Sequence, residues 1–128
     1  MIKKFVIRYQ NMFVNSESEL KKLNRKQKIL DKKTVVLIFS NMCGPCHMFL
    51  PIWRDFVTTQ KQNKNLNVIA IEVSFVDGVT NPALKEMIRK MTLKSPYVPN
   101  VARYNPESKR LGMFRLQRTV ADLKRFTK

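Results

Sequence analysis

The residues of this sequence with the clearest capacity for chemistry are two cysteines, Cys43 and Cys46. They are the only cysteines in the 128-residue chain, and Gly44 and Pro45 separate them. Two thiols three positions apart on a helical turn lie close enough to form and break a disulfide reversibly. A disulfide that closes so short a loop constrains the unfolded chain very little. The pair is therefore predicted to carry out thiol–disulfide exchange rather than to stabilise the fold as a structural disulfide.

The alternatives for the pair are a metal half-site or two ordinary buried thiols. A structural zinc site takes four ligands, whereas the chain offers two cysteines and one histidine, His47. A cysteine-rich zinc site cannot be completed from this chain, and no metal is predicted. His47 directly follows the motif and is interpreted as solvent-facing, with electrostatic tuning of a thiolate as the alternative.

The chain around the cysteines changes from strand to helix. Residues 34–39 form a continuous, mostly apolar run of residues that favour strands, which indicates a strand buried on both faces. From Pro45 onward apolar residues recur every four positions, which indicates a helix, and Pro51 is predicted to kink it. Helix N-termini stabilise thiolates through unpaired N–H groups and the helix dipole. Cys43 is therefore predicted to be the exposed attacking thiol and Cys46 the buried resolving thiol.

The other elements are predicted from apolar periodicity and capping residues. They are a strand over 3–9, a helix from Ser16 to about Leu30, a strand over 66–75, a helix begun by Asn81 and Pro82, strands over 101–104 and 111–116, and a final helix capped by Thr119. This order predicts an α/β fold with a parallel core from β-α-β crossovers and an antiparallel hairpin at the edge. The length fits one domain over 1–128.

The same periodicity predicts which side chains fill the core. Trp53 and Phe56 lie on the apolar face of the helix that follows the cysteines. Five of the seven methionines fall in apolar patterns and are interpreted as core filling: Met12, Met48, Met87, Met91 and Met113. The helix after Asn81 is predicted to bury Ala83, Leu84, Met87, Ile88 and Met91.

The chain is strongly basic, with a net charge of +16 from 25 basic and nine acidic residues. Residues 34–84 hold three residues of each sign, so the excess lies on both flanks of the cysteine segment. The basic clusters are Lys21, Lys22, Arg25, Lys26 and Lys28, and Arg110, Arg115, Arg118, Lys124 and Arg125. Such charge suggests acidic partner proteins, nucleic acid or packing in a crowded particle. No nucleic-acid motif accompanies the clusters, which favours solvated faces or the steering of acidic partners.

The sequence also bears on location. It contains no apolar run near the roughly 20 residues that span a bilayer, and no cleavage site follows the charged N-terminus, so a secretory signal is not expected. A low cysteine count is typical of a reducing compartment. The protein is predicted to be cytoplasmic, with packaging in a viral particle as the alternative.

Residues from about 34 to 126 resemble the thioredoxin family. The likeness rests on the apolar run 34–39, the Cys43-Gly44-Pro45-Cys46 motif, Pro51 and the dipeptide Val98-Pro99. It implies a thioredoxin-like three-layer fold, a central mixed sheet of about five strands flanked by helices. It also implies that Val98-Pro99 is a cis peptide that faces the cysteines and pairs with the substrate backbone. On sequence grounds alone, a trans bond is the commoner state before proline.

Substrate contact is predicted for the residues around the pair. Gly44 allows a partner chain to approach, and Pro45 stiffens the loop. The family usually has tryptophan where this chain has Met42, which still offers a soft apolar surface. With Val98 and Pro99, these residues complete the predicted substrate-binding set. The family often has a buried acid at the position of Leu37, so slower resolution by Cys46, or help from water, is expected here.

These features predict a thiol–disulfide oxidoreductase that needs no metal or organic cofactor. Its substrates would be proteins with disulfides or thiols, and a reductase or oxidase of unknown identity would recycle it. The alternative is a non-enzymatic, basic thioredoxin-fold adaptor or packaging protein that binds acidic partners or nucleic acid.

Overall fold

The computed structural model describes residues 10–128. The strands are β1 (Gln10–Val14), β2 (Lys33–Phe39), β3 (Leu66–Glu72), β4 (Asn100–Asn105) and β5 (Arg110–Met113). The α-helices are α1 (Glu17–Asn24), α2 (Gly44–Thr59), α3 (Pro82–Lys94) and α4 (Val120–Phe126), with 3₁₀ turns at Ile29–Asp31 and Val73–Gly78. The strand predicted over 3–9 lies outside the described residues, and β1 was not predicted.

The five strands form one mixed sheet in the order β1-β3-β2-β4-β5. β1, β3 and β2 are parallel, β4 runs antiparallel to β2, and β5 runs antiparallel to β4. The predicted α/β class with a mixed sheet is confirmed. The hairpin was predicted to add edge strands, but β4 lies inside the sheet between β2 and β5, so only β5 of the two hairpin strands lies at an edge.

The sheet separates two cores because successive strand residues point to opposite faces. Val36 and Ile38 of β2 pack with the apolar sides of α1 and α3. Val35, Leu37 and Phe39 pack with α2 and α4 on the other face. The result is a three-layer arrangement of helices, sheet and helices. β2 is buried on both faces, as the apolar run predicted, and its carboxyl end leads directly to the cysteines.

Capping residues fix where three of the helices begin. The side chain of Ser16 accepts a hydrogen bond from the N–H of Glu19, Asn81 accepts one from Leu84, and Thr119 accepts one from Asp122. Each cap satisfies an N–H group that a helix start leaves unpaired, which contributes about 1 kcal/mol. The predicted N-caps at Asn81, Thr119 and Ser16 are confirmed. The return bonds of the predicted capping box differ, because the Glu19 carboxylate accepts from the Asn15 N–H and the Ser16 hydroxyl.

Three predicted elements are shorter in the structure. The first helix ends at Asn24 instead of about Leu30, because the side chain of Asn81 donates to the carbonyls of Lys26 and Gln27, which a continuing helix would use. The strand predicted over 66–75 ends at Glu72, where the chain enters a 3₁₀ turn. The last predicted strand ends at Met113 rather than at residue 116.

Most of the predicted core is buried. Trp53 and Phe56 are 1% and 0% exposed, which confirms their interpretation as core. Met48 is 78% exposed, so its prediction as core filling was wrong: it lies on the outer side of α2. Ala83 is also exposed, because the buried stripe of α3 begins at Leu84. No helix in the described part of the chain is both long and apolar enough to cross a membrane.

Candidate redox site

Cys43 lies at the junction between β2 and α2 and serves as the N-cap of α2. Its backbone is extended, with φ −105° and ψ 119°, and the helix begins at the next residue, Gly44. The N–H group of Cys46 donates to the Cys43 sulfur at 3.1 Å. A backbone donor at a helix N-terminus stabilises negative charge on the atom that it faces. The partly exposed residue Cys43 thus has its sulfur in contact with a backbone donor at the start of α2.

Cys46 lies one turn inside α2 and has no exposed surface. Burial and the hydrogen bond with Cys43 raise the pKa of Cys46 to about 11, while the Ser40 N–H group and the charge of Arg118 oppose that rise. Ser40 N–H approaches the Cys46 sulfur at 3.4 Å. Cys46 is thus protonated at neutral pH. The two thiols differ as the sequence predicted: one reaches solvent and the other is enclosed.

The loop that precedes β4 closes the site from the opposite side. The Val98-Pro99 peptide bond is cis, as the resemblance implied. The Cys43 thiol donates to the Val98 carbonyl at 3.6 Å, so residues 55 positions apart in the chain meet at the reactive sulfur.

The predicted substrate-contact residues surround this point. Gly44 and Pro45 are exposed, and Met42 is 92% exposed. Val98 and Pro99 are half-buried. The structure therefore brings Met42, Gly44, Pro45, Val98 and Pro99 to the same end of the sheet as the cysteines, and their role in substrate contact stays a prediction.

Asn41 holds the segment before Cys43 through contacts that sequence reasoning missed. Its N–H group donates to a carboxylate oxygen of Glu72 at 3.1 Å. Its side-chain amide exchanges hydrogen bonds of 3.2 and 2.9 Å with that of Asn15. Nε2 of His47 lies 2.7 Å from the Asn41 carbonyl, and because a carbonyl only accepts, this nitrogen carries the hydrogen. His47 is exposed, as predicted, and also ties the loop to α2.

Glu72 is the buried acid nearest to this loop in the described residues, with 5% of its surface exposed. It lies beside Phe39 in the β2–β3 register. Burial alone would raise its pKa, but hydrogen bonds from the Ser74 hydroxyl and from the N–H groups of Asn41 and Ser74 lower it. Its oxygens are therefore engaged in positioning the loop. Leu37, where the family often has an acid, packs in the same core cluster as Cys46 and offers no proton acceptor.

Replacing Glu72 by Gln is expected to lower the free energy of unfolding by about 2 kcal/mol at neutral pH, because a charged acceptor of several hydrogen bonds is lost. The folded pKa of this carboxyl is lowered, so its contribution is present above the ordinary value of about 4.3 and is lost as pH falls through the folded value. Urea unfolding should show that the difference in unfolding free energy between wild type and variant becomes smaller in acid. Glu107→Gln, on an exposed turn, is the control and should change the free energy of unfolding little. If Glu72→Gln lowers that free energy equally at pH 7 and in acid, the proposed role of the Glu72 carboxylate is contradicted.

Metal binding has no support in the described residues. Over 10–128, no three side chains of His, Cys, Asp or Glu come together in a way that could hold a metal ion.

The fold and the site together define a class of protein. A mixed five-stranded sheet between two layers of helices, with a Cys-x-x-Cys pair where a central strand passes into a helix and a cis-proline beside it, is a thioredoxin-like architecture. The family model for thioredoxin matches residues 16–93. The chain belongs to the thioredoxin family, which is of the thiol–disulfide oxidoreductase type.

Solved structures show the same fold at low sequence identity. The first thioredoxin domain of mouse protein disulfide-isomerase A4 superposes with a TM-score of 0.57 at 12% identity, over 89% of this chain and 71% of that one. A thioredoxin-related protein from Neisseria meningitidis serogroup B gives 0.56 at 14% identity, over 74% and 82%. The chain spans 49% of the J-Trx1 fragment of ERdj5, which it matches with a TM-score of 0.57 at 14% identity over 91% of its own length. Comparison with curated protein sequences gives no match.

Proposed function

We propose that the protein is a thiol–disulfide oxidoreductase that exchanges the Cys43–Cys46 dithiol and disulfide with disulfides or thiols of other proteins. The observation that carries the proposal is the asymmetry of the pair. The Cys43 sulfur is accessible and accepts a helix N-terminal N–H bond at 3.1 Å, whereas Cys46 is fully buried behind it. Family membership supports the class of reaction.

The reaction proceeds in two exchanges. The Cys43 thiolate attacks one sulfur of the partner's disulfide; a Cys43–partner bond forms, the partner's S–S bond breaks, and its other sulfur leaves as a thiolate. Cys46 then loses its proton and attacks the Cys43 sulfur, which forms the Cys43–Cys46 disulfide and releases the second partner thiolate. The partner gains the two electrons that the dithiol loses, and the reverse sequence donates a disulfide to partner thiols.

The order of these steps follows from burial and ionisation. Cys46, with its pKa raised to about 11, is a poor nucleophile at neutral pH and does not compete for the partner's disulfide. It becomes effective only when the Cys43 mixed disulfide lies next to it. The structure thus supports Cys43 as the thiol that attacks the partner's disulfide and Cys46 as the thiol that releases the partner from the mixed disulfide.

The remaining expectations belong to the same proposal. The protein acts on protein substrates, is recycled by a reductase or oxidase partner, and needs no metal or organic cofactor. We place it in the cytoplasm, with packaging in a viral particle as the alternative, and treat 1–128 as a single thioredoxin-like domain. Its pairing of both cysteines in one motif supports a redox rather than a structural use of them.

The test is reduction of a disulfide-containing protein by dithiothreitol with and without the wild-type protein. The proposal expects a rate above that of dithiothreitol alone, linear in protein concentration. The second candidate is a basic adaptor or packaging protein whose cysteines are not catalytic. It predicts that the protein does not accelerate disulfide reduction.

The second candidate is favoured by one observation, the net charge of +16. Its basic residues at Lys21, Lys22, Arg25 and Lys28 are exposed on and after α1. Binding to a DNA duplex that weakens steeply as salt rises, without acceleration of disulfide reduction, would support it. Absence of both acceleration and salt-sensitive binding would leave neither proposal standing.

A further inference from the structure

A small cavity opens beside the cis-proline. Its volume is about 170 Å³, and its lining includes Pro99, Phe114, Arg115, Leu116 and Arg118. Pockets that hold whole cofactors or drug-sized ligands are several hundred Å³. The size of this cavity suits a single small side-chain group.

The cavity carries free positive charge. Arg115 and Arg118 are both exposed, and neither forms an ion pair with any acid in the part of the chain that the structure describes. The acid closest in sequence, Asp122, is already engaged: it accepts from the N–H of Gln117 and pairs with Arg125 at 3.2 Å. The two guanidinium groups are therefore available to a ligand.

The cavity also adjoins the reactive sulfur. Pro99 forms part of its wall, and the preceding carbonyl, that of Val98, contacts the Cys43 sulfur at 3.6 Å. The charge of Arg118 is felt by the buried sulfur, since it lowers the pKa of Cys46 against the effect of burial. An extended chain advances about 3.3 Å per residue. A peptide with its disulfide at Cys43 therefore brings its next residues to the cavity.

We propose that this cavity is a subsite for a carboxylate of the substrate, so that the protein prefers disulfides with Asp or Glu within two residues of the attacked cysteine. Guanidinium groups bind carboxylates in planar, bidentate geometry, and two of them at one cavity select strongly against a cation. The inference rests on the proposed function and names its substrate class.

The test uses matched peptide disulfides that differ at one position, two residues from the cysteine on either side, with Glu, Gln or Lys. Single-turnover reduction by the protein is measured at about 0.15 M salt, where long-range steering is partly screened. The Glu peptide is expected to react roughly three to ten times faster than the Lys peptide. In the double variant Arg115→Gln/Arg118→Gln, the ratio of the Glu-peptide rate to the Lys-peptide rate should fall toward one.

The control is Lys61→Gln/Lys64→Gln, which removes the same net charge from the loop after α2 and should keep the wild-type ratio. If the Glu-to-Lys rate ratio falls equally in both variants, the preference comes from long-range attraction by the net charge, and the subsite is overturned. Because Arg118 also acts on Cys46, absolute rates change in the variant, but that effect is common to all peptides and cancels in the ratio.

Two further arms separate the remaining outcomes. Oxidised glutathione carries carboxylates next to a disulfide without a protein chain. If the arginine substitutions slow its reduction as much as they slow reduction of the Glu peptide, the subsite also accepts small disulfides that carry a carboxylate. Equal Glu and Lys rates in the wild type, with reduction still dependent on Cys43, would overturn the subsite and leave the proposed function intact. No reduction of any peptide would overturn both.

Discussion

Replacement of Cys43 by serine is expected to abolish the acceleration of disulfide reduction, leaving only the rate of dithiothreitol. The thiolate is the nucleophile in disulfide exchange, and a serine hydroxyl is not ionised near neutral pH. Cys46 cannot substitute, because it is fully buried and burial helps to raise its pKa to about 11. The expected loss is at least a hundredfold in the protein-dependent rate, on the scale of a lost nucleophile.

The substitution is well suited to separate chemistry from folding. Cys43 is the N-cap of α2 and accepts a hydrogen bond from the Cys46 N–H group. Serine is among the preferred N-cap residues, so its oxygen can take over that bond and the thermal unfolding midpoint should be retained. Met48→Ala, on the exposed side of α2, is the control and should keep full activity. If Cys43→Ser folded normally and still accelerated reduction, Cys43 would not be the entry thiol.

The central part of this fold was predictable because local signals there agree with the tertiary structure. The run 34–39 is buried on both faces, and a strand in that environment needs apolar residues at every position. Asn81 and Thr119 mark helix starts with side chains that accept a hydrogen bond within the first turn, and Pro82 occupies the first helical position after Asn81. Such caps depend on three or four consecutive residues and can be recognised without knowing the rest of the molecule.

The errors arose where distant residues decide the local structure. The first helix stops at Asn24 because Asn81, more than 50 positions away, takes the carbonyls that a longer helix would use. Met48 fits the apolar spacing of α2, yet it projects from the outer side of that helix, and spacing alone does not show how wide the buried stripe is. β1 pairs with β3 at an edge of the sheet, where burial imposes little pattern on the sequence.

At the site, the sequence identified the cysteines, and the family resemblance implied the cis peptide at Val98-Pro99. Neither pointed to the residues that support them. Glu72 was interpreted only as part of a strand, because nothing local shows that its carboxylate would meet the Asn41 N–H group. Arg118 was grouped with other basic residues, although its charge reaches Cys46 from 72 positions further along the chain. A charged residue at the end of a buried strand is one signal that could have singled out Glu72, since burying a carboxylate is costly without partners.

Replacement of Cys46 by serine is expected to stop the cycle at the mixed disulfide rather than before it. Cys43 can still attack the partner's disulfide, but no internal thiol follows to release the partner. With no dithiothreitol present, the variant should accumulate covalent complexes that are visible on non-reducing gels and lost on reduction. The wild type should show few of them, and Cys43→Ser/Cys46→Ser should show none.

The release step itself should respond to pH in the wild type, because Cys46 must ionise to attack. Burial is the largest cause of the raised pKa of Cys46 and remains in the mixed disulfide, although the contribution of the Cys43 thiol is lost there. Well below that pKa, the thiolate fraction of Cys46 rises about tenfold for each pH unit. A preformed mixed disulfide of Cys43 with a small aromatic thiol, followed by absorbance as the thiol leaves, should therefore decay about tenfold faster at pH 9 than at pH 8, and the same complex in Cys46→Ser should be stable. A decay that is flat from pH 7 to 9 would mean that Cys46 is already ionised or is not the resolving group, and the arrangement of one accessible and one enclosed sulfur would then need another explanation.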